Sequence, residues 1–369
     1  MTALEAILRE MILESGPISL ERYMALALGH PVHGYYRTKV AIGAEGDFIT
    51  APEISQMFGE LIGLWCVEVW RLMGAPEAFH LVELGPGRGT LMSDALRAAR
   101  IAPDFLAALD VHLVEISLPL RERQRAALEG RGFKVAWHAS VSEIPPGPAI
   151  FVANEFFDAL PVRHYVHRDG GWRERLVGID EEGRLTFGLG AAHETAIAAS
   201  GEPDDILEVG VAALRLMTQL GVRIVTQGGA LLAIDYGYGE PARGETLQAV
   251  RAHQFVDPLA DPGEADLTTH VNFTALARAA KGAGAAVHGP VPQGQFLTRL
   301  GIFERAAILE RGATPEQAAA INKALDRLAG EGPGFDVATD MARLFKVIAV
   351  TQREFDAPPG FEEAARERA

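Results

Sequence analysis

The sequence predicts an α/β protein built on a mostly parallel sheet, and three observations carry the prediction. From about residue 80, short apolar or β-branched runs alternate with amphipathic segments; a Gly-rich turn, Gly85-Pro86-Gly87-Arg88-Gly89, directly follows one run; and acids stand at the ends of two consecutive runs, at Glu83 and Glu115. Such alternation is the signature of βαβ units. At 369 residues the chain is long for one domain, so a large core with additions is expected.

In chain order, the first 75 residues read as a helical N-terminal addition. Ile7, Leu8, Met11 and Ile12 fall on one helical face, and Met57, Leu61, Leu64, Trp65 and Val69 on another. Between them, His30 to Tyr36 and Gly46 to Glu53 are too rich in turn residues for regular structure and read as a site loop. The core is expected over 76–369. Its strands are expected at 80–84, 111–115, 134–137, 149–153 and 231–235, with late strands near Val287 and at 347–351, and helices starting near Thr90 and Leu118.

Two insertions interrupt the core, near 163–225 and 237–285. Arg163 to Leu189 alternates like a hairpin around Asp169-Gly170-Gly171 and Glu181-Glu182-Gly183, which predicts an inserted β-ribbon. Gly237 to Asp266 is rich in Gly, Pro and polar residues and is expected to be a substrate lid.

Lys and Arg number 34 against 49 Asp and Glu, a net charge of −15, which disfavours nucleic acid as a partner and suits a cationic ligand. Cys66 stands alone on an apolar helix face, so an internal disulfide and a cysteine zinc site are both excluded. His30 and His33 lack ligand spacing, and no metal is expected. The first ten residues carry acids where leader peptides avoid them, and no apolar run is long enough to span a bilayer. A cytoplasmic location without membrane insertion is the expectation.

The stretch His80-Leu81-Val82-Glu83-Leu84-Gly85-Pro86-Gly87-Arg88-Gly89-Thr90 reads as a strand, a turn and a helix start. Gly85, Gly87 and Gly89 allow a sharp bend and let a ligand approach the main chain, while the helix start supplies amide donors. A dinucleotide site would place its third Gly one position later, and its pyrophosphate would be repelled by Glu83. Glu115, at the end of the next run, is placed to accept from ribose hydroxyls. Acid, Gly-x-Gly-x-Gly, acid is the pattern of S-adenosylmethionine sites. A nucleotide-cofactor oxidoreductase and a purely structural turn remain the alternatives at this point.

The blocks Gly46-Asp47-Phe48-Ile49-Thr50-Ala51-Pro52-Glu53-Ile54-Ser55, Phe58-Gly59-Glu60, Glu83 to Gly89 and Asn154-Glu155-Phe156-Phe157-Asp158-Ala159-Leu160-Pro161 resemble the MidA-like methyltransferases. Asp235-Tyr236-Gly237-Tyr238 and Asp266 to Phe273 extend the similarity over nearly the whole chain. The resemblance implies a class I methyltransferase (Rossmann-like) fold, S-adenosylmethionine as cofactor and a protein side chain, arginine, as acceptor. It also implies a target on a subunit of respiratory NADH:quinone oxidoreductase, complex I. Lacking an organellar leader, the chain looks like a bacterial member. A non-catalytic assembly partner that keeps the fold is the competing reading.

A protonated guanidinium acceptor calls for carboxylates that grip it and localise its charge. Glu155 and Asp158 are the first candidates, because they follow an apolar run where open α/β sheets bind ligands. Asp47 and Glu53 come next if their loop folds over the pocket. Asn154 is expected to contact the cofactor, beside Glu83, Gly85, Gly87, Gly89 and Glu115. Phe156 and Phe157 are expected to wall the channel, Tyr236 to contact substrate, and Asp266 with His270 to be a helix cap and a surface histidine at helical spacing.

Overall fold

The structure, a computed structural model, describes residues 1–38, 50–130, 132–240, 242–330 and 340–362. Seven strands form the core sheet: β1 (Phe79–Leu84), β2 (Leu109–Val114), β3 (Val135–His138), β4 (Ala149–Asn154), β5 (Gly229–Tyr238), β6 (Ala286–Pro292) and β7 (Phe345–Thr351). Across the sheet they run β3-β2-β1-β4-β5-β7-β6, and a two-residue strand, Val271–Asn272, adds to the end of β5. Neighbours from β3 to β5 are parallel, and β7 is antiparallel to both β5 and β6. The chain winds outward from β1 to β3 and returns to β4 on the other side of β1. The carboxyl ends of β1 and β4 therefore flank the switch point, where ligands bind in sheets of this kind.

Every residue of β4 is buried, as a strand covered on both faces requires. One face carries helices α3 (Gln56–Leu72) and α4 (Thr90–Ala98), through Leu61, Trp65, Leu91 and Ala95. The other carries α6 (Val211–Gln227) and α7 (Phe273–Gly282), through Met217, Leu220, Phe273 and Leu276. Between these in sequence, α5 (Leu118–Leu128) follows β2, with the Ser117 hydroxyl accepting the Leu120 amide at its start.

A third apolar cluster joins α1 (Ala3–Ser15) and α2 (Leu20–Gly29) to the inserted ribbon and to residues 249–267. The ribbon strands Arg163–Arg168, Gly171–Ile179 and Leu185–His193 pair antiparallel; Ile206–Val209 pairs with the first of them and Ile18–Ser19 with the second.

Packing divides the chain differently from the expected boundaries. Residues 1–75 do not pack as one body, because α3 belongs to the core cluster whereas α1 and α2 pack on the ribbon. The insertion placed at 163–225 overruns α6, whose Ala213, Met217, Leu220 and Ile224 bury against the sheet, and that placed at 237–285 overruns α7 for the same reason. Residues 237–266 are not a structureless lid. They contain the hairpin Gln248–Arg251 and Gln254–Val256, and the first of these strands also pairs with Asp266–Thr268. That last strand corrects the helical spacing assigned to Asp266 and His270: the helix begins only at Phe273, capped by Asn272, whose Oδ1 accepts the Ala275 amide at 3.0 Å.

Candidate active site

The carboxyl ends of β1, β2 and β4 open onto a cavity of about 390 Å³, lined by Gly85, Gly87, Glu115, Glu155, Phe156 and, from the N-terminal segment, Tyr36. That volume suits a small-molecule ligand. All three turn glycines have positive φ: 62° at Gly85, 53° at Gly87 and 83° at Gly89. A Cβ on Gly85 would lie 2.8 Å from the Phe156 ring, so side-chain-free backbone is required there twice over. Gly89 precedes α4 and supplies no side-chain cap, and the Met92 amide in the first turn meets the Glu83 carboxyl instead.

Glu83 is buried beside this turn, and its Oε2 has no partner among the described residues. Burial, reinforced by Glu115, raises its carboxyl to about 8. Asn154 is buried as well, with Oδ1 unpartnered among the described residues while Nδ2 donates to Glu155 Oε1 at 3.1 Å. Two orphaned acceptors beside a glycine turn fit a ligand rich in donors and positive charge, which describes S-adenosylmethionine. Glu115 accepts the Ser117 amide at 2.7 Å and Gln124 Nε2 at 3.3 Å, and burial raises its pKa. Gln124, absent from the expected site residues, also donates to Gly87 O at 2.8 Å and so ties the turn to Glu115. Its sequence signal is faint: a polar residue on the inward face of α5.

Glu53 contacts the same turn, accepting from Arg88 Nη1 at 3.2 Å and from the Thr90 hydroxyl. Asp47 lies outside the described residues. The N-terminal segment is fastened over the cavity: Tyr36 OH donates to Asp266 Oδ1 at 2.7 Å, and Arg37 Nη1 to Ile116 O at 2.6 Å.

At the end of β4, Glu155 adopts a left-handed φ of 49°. Its Oε1 accepts the Ala51 amide at 3.0 Å, and burial lifts its carboxyl to about 7. Asp158 is buried with Oδ1 unpartnered among the described residues; burial raises it to about 6 against the opposing hydrogen bond from the Tyr236 hydroxyl. Phe156 lines the cavity, whereas Phe157 turns into the core. Asp235 is fully buried beneath this turn, and burial with the nearby Asp158 and Glu155 charges raises its pKa well above the carboxylate range. Among the described residues, no group of three or more His, Cys, Asp and Glu side chains is arranged to hold a metal.

A seven-stranded sheet in this order, with one antiparallel strand, a glycine turn after β1 and buried acids at the strand ends, defines a class I methyltransferase that uses S-adenosylmethionine. The chain belongs to the MidA-like family of S-adenosyl-L-methionine-dependent methyltransferases, whose model matches residues 61–291. It is 38% identical over 349 residues to the zebrafish (Danio rerio) protein arginine methyltransferase NDUFAF7, mitochondrial, covering 87% of this chain and 82% of that one. The human counterpart is 38% identical over 324 residues, 81% and 73% of the two chains. A solved structure from Burkholderia thailandensis, bound to S-adenosyl-homocysteine, superimposes with a TM-score of 0.83 at 28% identity, over 97% of this chain and 94% of that one. The relatives overturn the expected cytoplasmic location, since both are named as mitochondrial proteins. Family membership also sets aside the nucleotide-cofactor oxidoreductase.

Proposed function

We propose that this methyltransferase modifies an arginine of a protein substrate, on a subunit of respiratory NADH:quinone oxidoreductase, and thereby aids assembly of that complex. The observation that carries the reading is the pair of buried carboxyls, Glu155 and Asp158, on the turn that walls the cofactor cavity. The arginine methyltransferase names of the relatives support the acceptor.

S-adenosylmethionine, when bound, supplies an electrophilic methyl group on a sulfonium. Glu83 and Asn154 would receive its donor groups, Glu115 its ribose hydroxyls, and Gly85, Gly87 and Gly89 would let the main chain approach it. An incoming guanidinium stays protonated, with a pKa above about 12. Its charge would draw Glu155 and Asp158 into their ionised forms, and two carboxylates would then fix its plane and localise its charge away from the attacking nitrogen. Orientation of this kind can supply about 7 kcal/mol or more of the barrier reduction. As the nitrogen takes the methyl group it must lose a proton, and Glu155, which reaches the cavity, is the acceptor in this reading.

Mass spectrometry of the complex from cells with the gene intact, deleted or carrying Glu155→Gln tests the proposal. An arginine methyl mark present only in the intact strain is expected. A mark that survives deletion, or no mark in any strain, refutes the target.

A further inference from the structure

We propose that Asp235 is the positioning residue of the acceptor turn, holding Glu155 and Asp158 in place by gripping the main chain from Phe156 to Asp158. The inference rests on the reading of those two carboxyls as the acceptor grip. Strand β5 pairs with β4 up to Ile234 and Asn154, so Asp235 lies one step beyond the last paired residue, directly where the chain leaves β4. There its Oδ2 accepts three successive amides, from Phe156 at 3.1 Å, Phe157 at 2.9 Å and Asp158 at 3.2 Å. Its Oδ1 accepts the Tyr236 amide at 2.9 Å. Consecutive amides converging on one acceptor oxygen make a nest, and a nest forms only when the chain curls.

The curl begins at Glu155, whose left-handed φ of 49° is uncommon for a non-glycine residue and marks a conformation that its surroundings impose. The Glu155 amide is itself fixed to Ile234 O at 2.9 Å. With 155 reversed and 156–158 wrapped on Asp235, the Glu155 side chain is delivered to the cavity and the Asp158 side chain to the Tyr236 hydroxyl. Asp235 itself touches neither the cavity nor the cofactor turn and acts through the residues it holds.

Asparagine at 235 keeps the shape but offers one acceptor oxygen in place of two, and its amide group would face a donor. The test compares wild type with Asp235→Asn by amide hydrogen exchange at 156–158, by NMR titration of the Glu155 carboxyl and by calorimetry with S-adenosyl-homocysteine. Exchange is expected to speed up about 10-fold or more, since an asparagine NH2 facing the Tyr236 amide would loosen the grip on 156–158. The Glu155 midpoint should fall from about 7 toward the ordinary range as water enters, while affinity for S-adenosyl-homocysteine stays within about 2-fold. Unchanged exchange or an unmoved Glu155 midpoint overturns the proposal. If the variant does not fold, wild-type exchange decides: amides at 156–158 that exchange as fast as unbonded loop amides overturn it. A chain that never methylates arginine would sink the acceptor reading and leave these exchange and titration results standing.

Discussion

The cofactor turn takes its shape from residues close in sequence, Gly85 to Gly89, with Glu115 and Asn154 brought to it by the neighbouring strands, whereas the acceptor turn is held by partners 77 to 104 positions away. The first region is backbone conformation written into glycine. The second is ordinary chain forced into shape by Asp235 and by the Ala51 amide. Local construction tolerates no side chain at its bend but asks little of the rest of the protein. Remote construction depends on the sheet register that brings β5 alongside β4.

The largest expected effect breaks the cofactor side. Gly85→Val puts a branched side chain at a φ of 62° and drives it into the Phe156 ring, so affinity for S-adenosyl-homocysteine should fall about 100-fold or more by calorimetry. Unaltered binding would show that the turn is not the cofactor cradle. Glu155→Gln should do the reverse: methyl transfer slows about 100-fold or more while S-adenosyl-homocysteine binding changes little. If that variant lost cofactor affinity and kept its turnover number, the two regions would have to exchange roles.

The contrast also explains what was legible in the sequence. A strand followed by three glycines at alternate positions has few structural meanings, because only glycine takes those dihedrals cheaply. The strands from β1 to β5 were visible for a similar reason, as compact apolar runs. Asp235 could be seen as a strand-end acid but not as the hub of a nest, since nothing near it in sequence announces the amides it binds. Asp266 and His270 matched helical spacing, yet pairing with Gln248–Arg251 claimed Asp266 for a strand, a tertiary effect that overrides local pattern. The insertion boundaries failed because α6 and α7 are amphipathic whether they belong to an insert or to the core, and only packing tells which.

A middle-sized effect compares the acids of the two regions through pH. Glu83 at about 8, Glu155 at about 7 and Asp158 at about 6 all hold protons in the folded, ligand-free protein that the unfolded chain would release. Their contribution to stability is therefore fully present below the ordinary carboxylate range and is lost as pH rises through the raised values. The ligand-free protein should melt at a temperature lower by about 5 °C at pH 8 than at pH 5, and Glu83→Gln should remove about half of that slope. A melting temperature that climbs over the same interval would mean that these acids are already ionised without ligand. A cationic cofactor needs Glu83 charged, so S-adenosylmethionine should bind more tightly as pH rises, a trend that Glu83→Gln should weaken.

The smallest effect concerns the fastening that spans both regions. Tyr36 lines the cofactor cavity, and its hydroxyl bonds Asp266 next to the acceptor side, so Tyr36→Phe removes one hydrogen bond and keeps the ring. Loss of such a bond at a part-buried site is worth about 1 kcal/mol, or roughly 5-fold. Because Arg37 still holds Ile116, the segment should loosen rather than detach, and the change should fall on the escape of bound ligand. Stopped-flow release of S-adenosyl-homocysteine should quicken about 5-fold while methyl transfer at saturating cofactor is unchanged, since Glu155 and its supports are untouched. Slower transfer with unaltered release would place Tyr36 with the acceptor turn instead, and would mean that this residue couples the two halves rather than closing one of them.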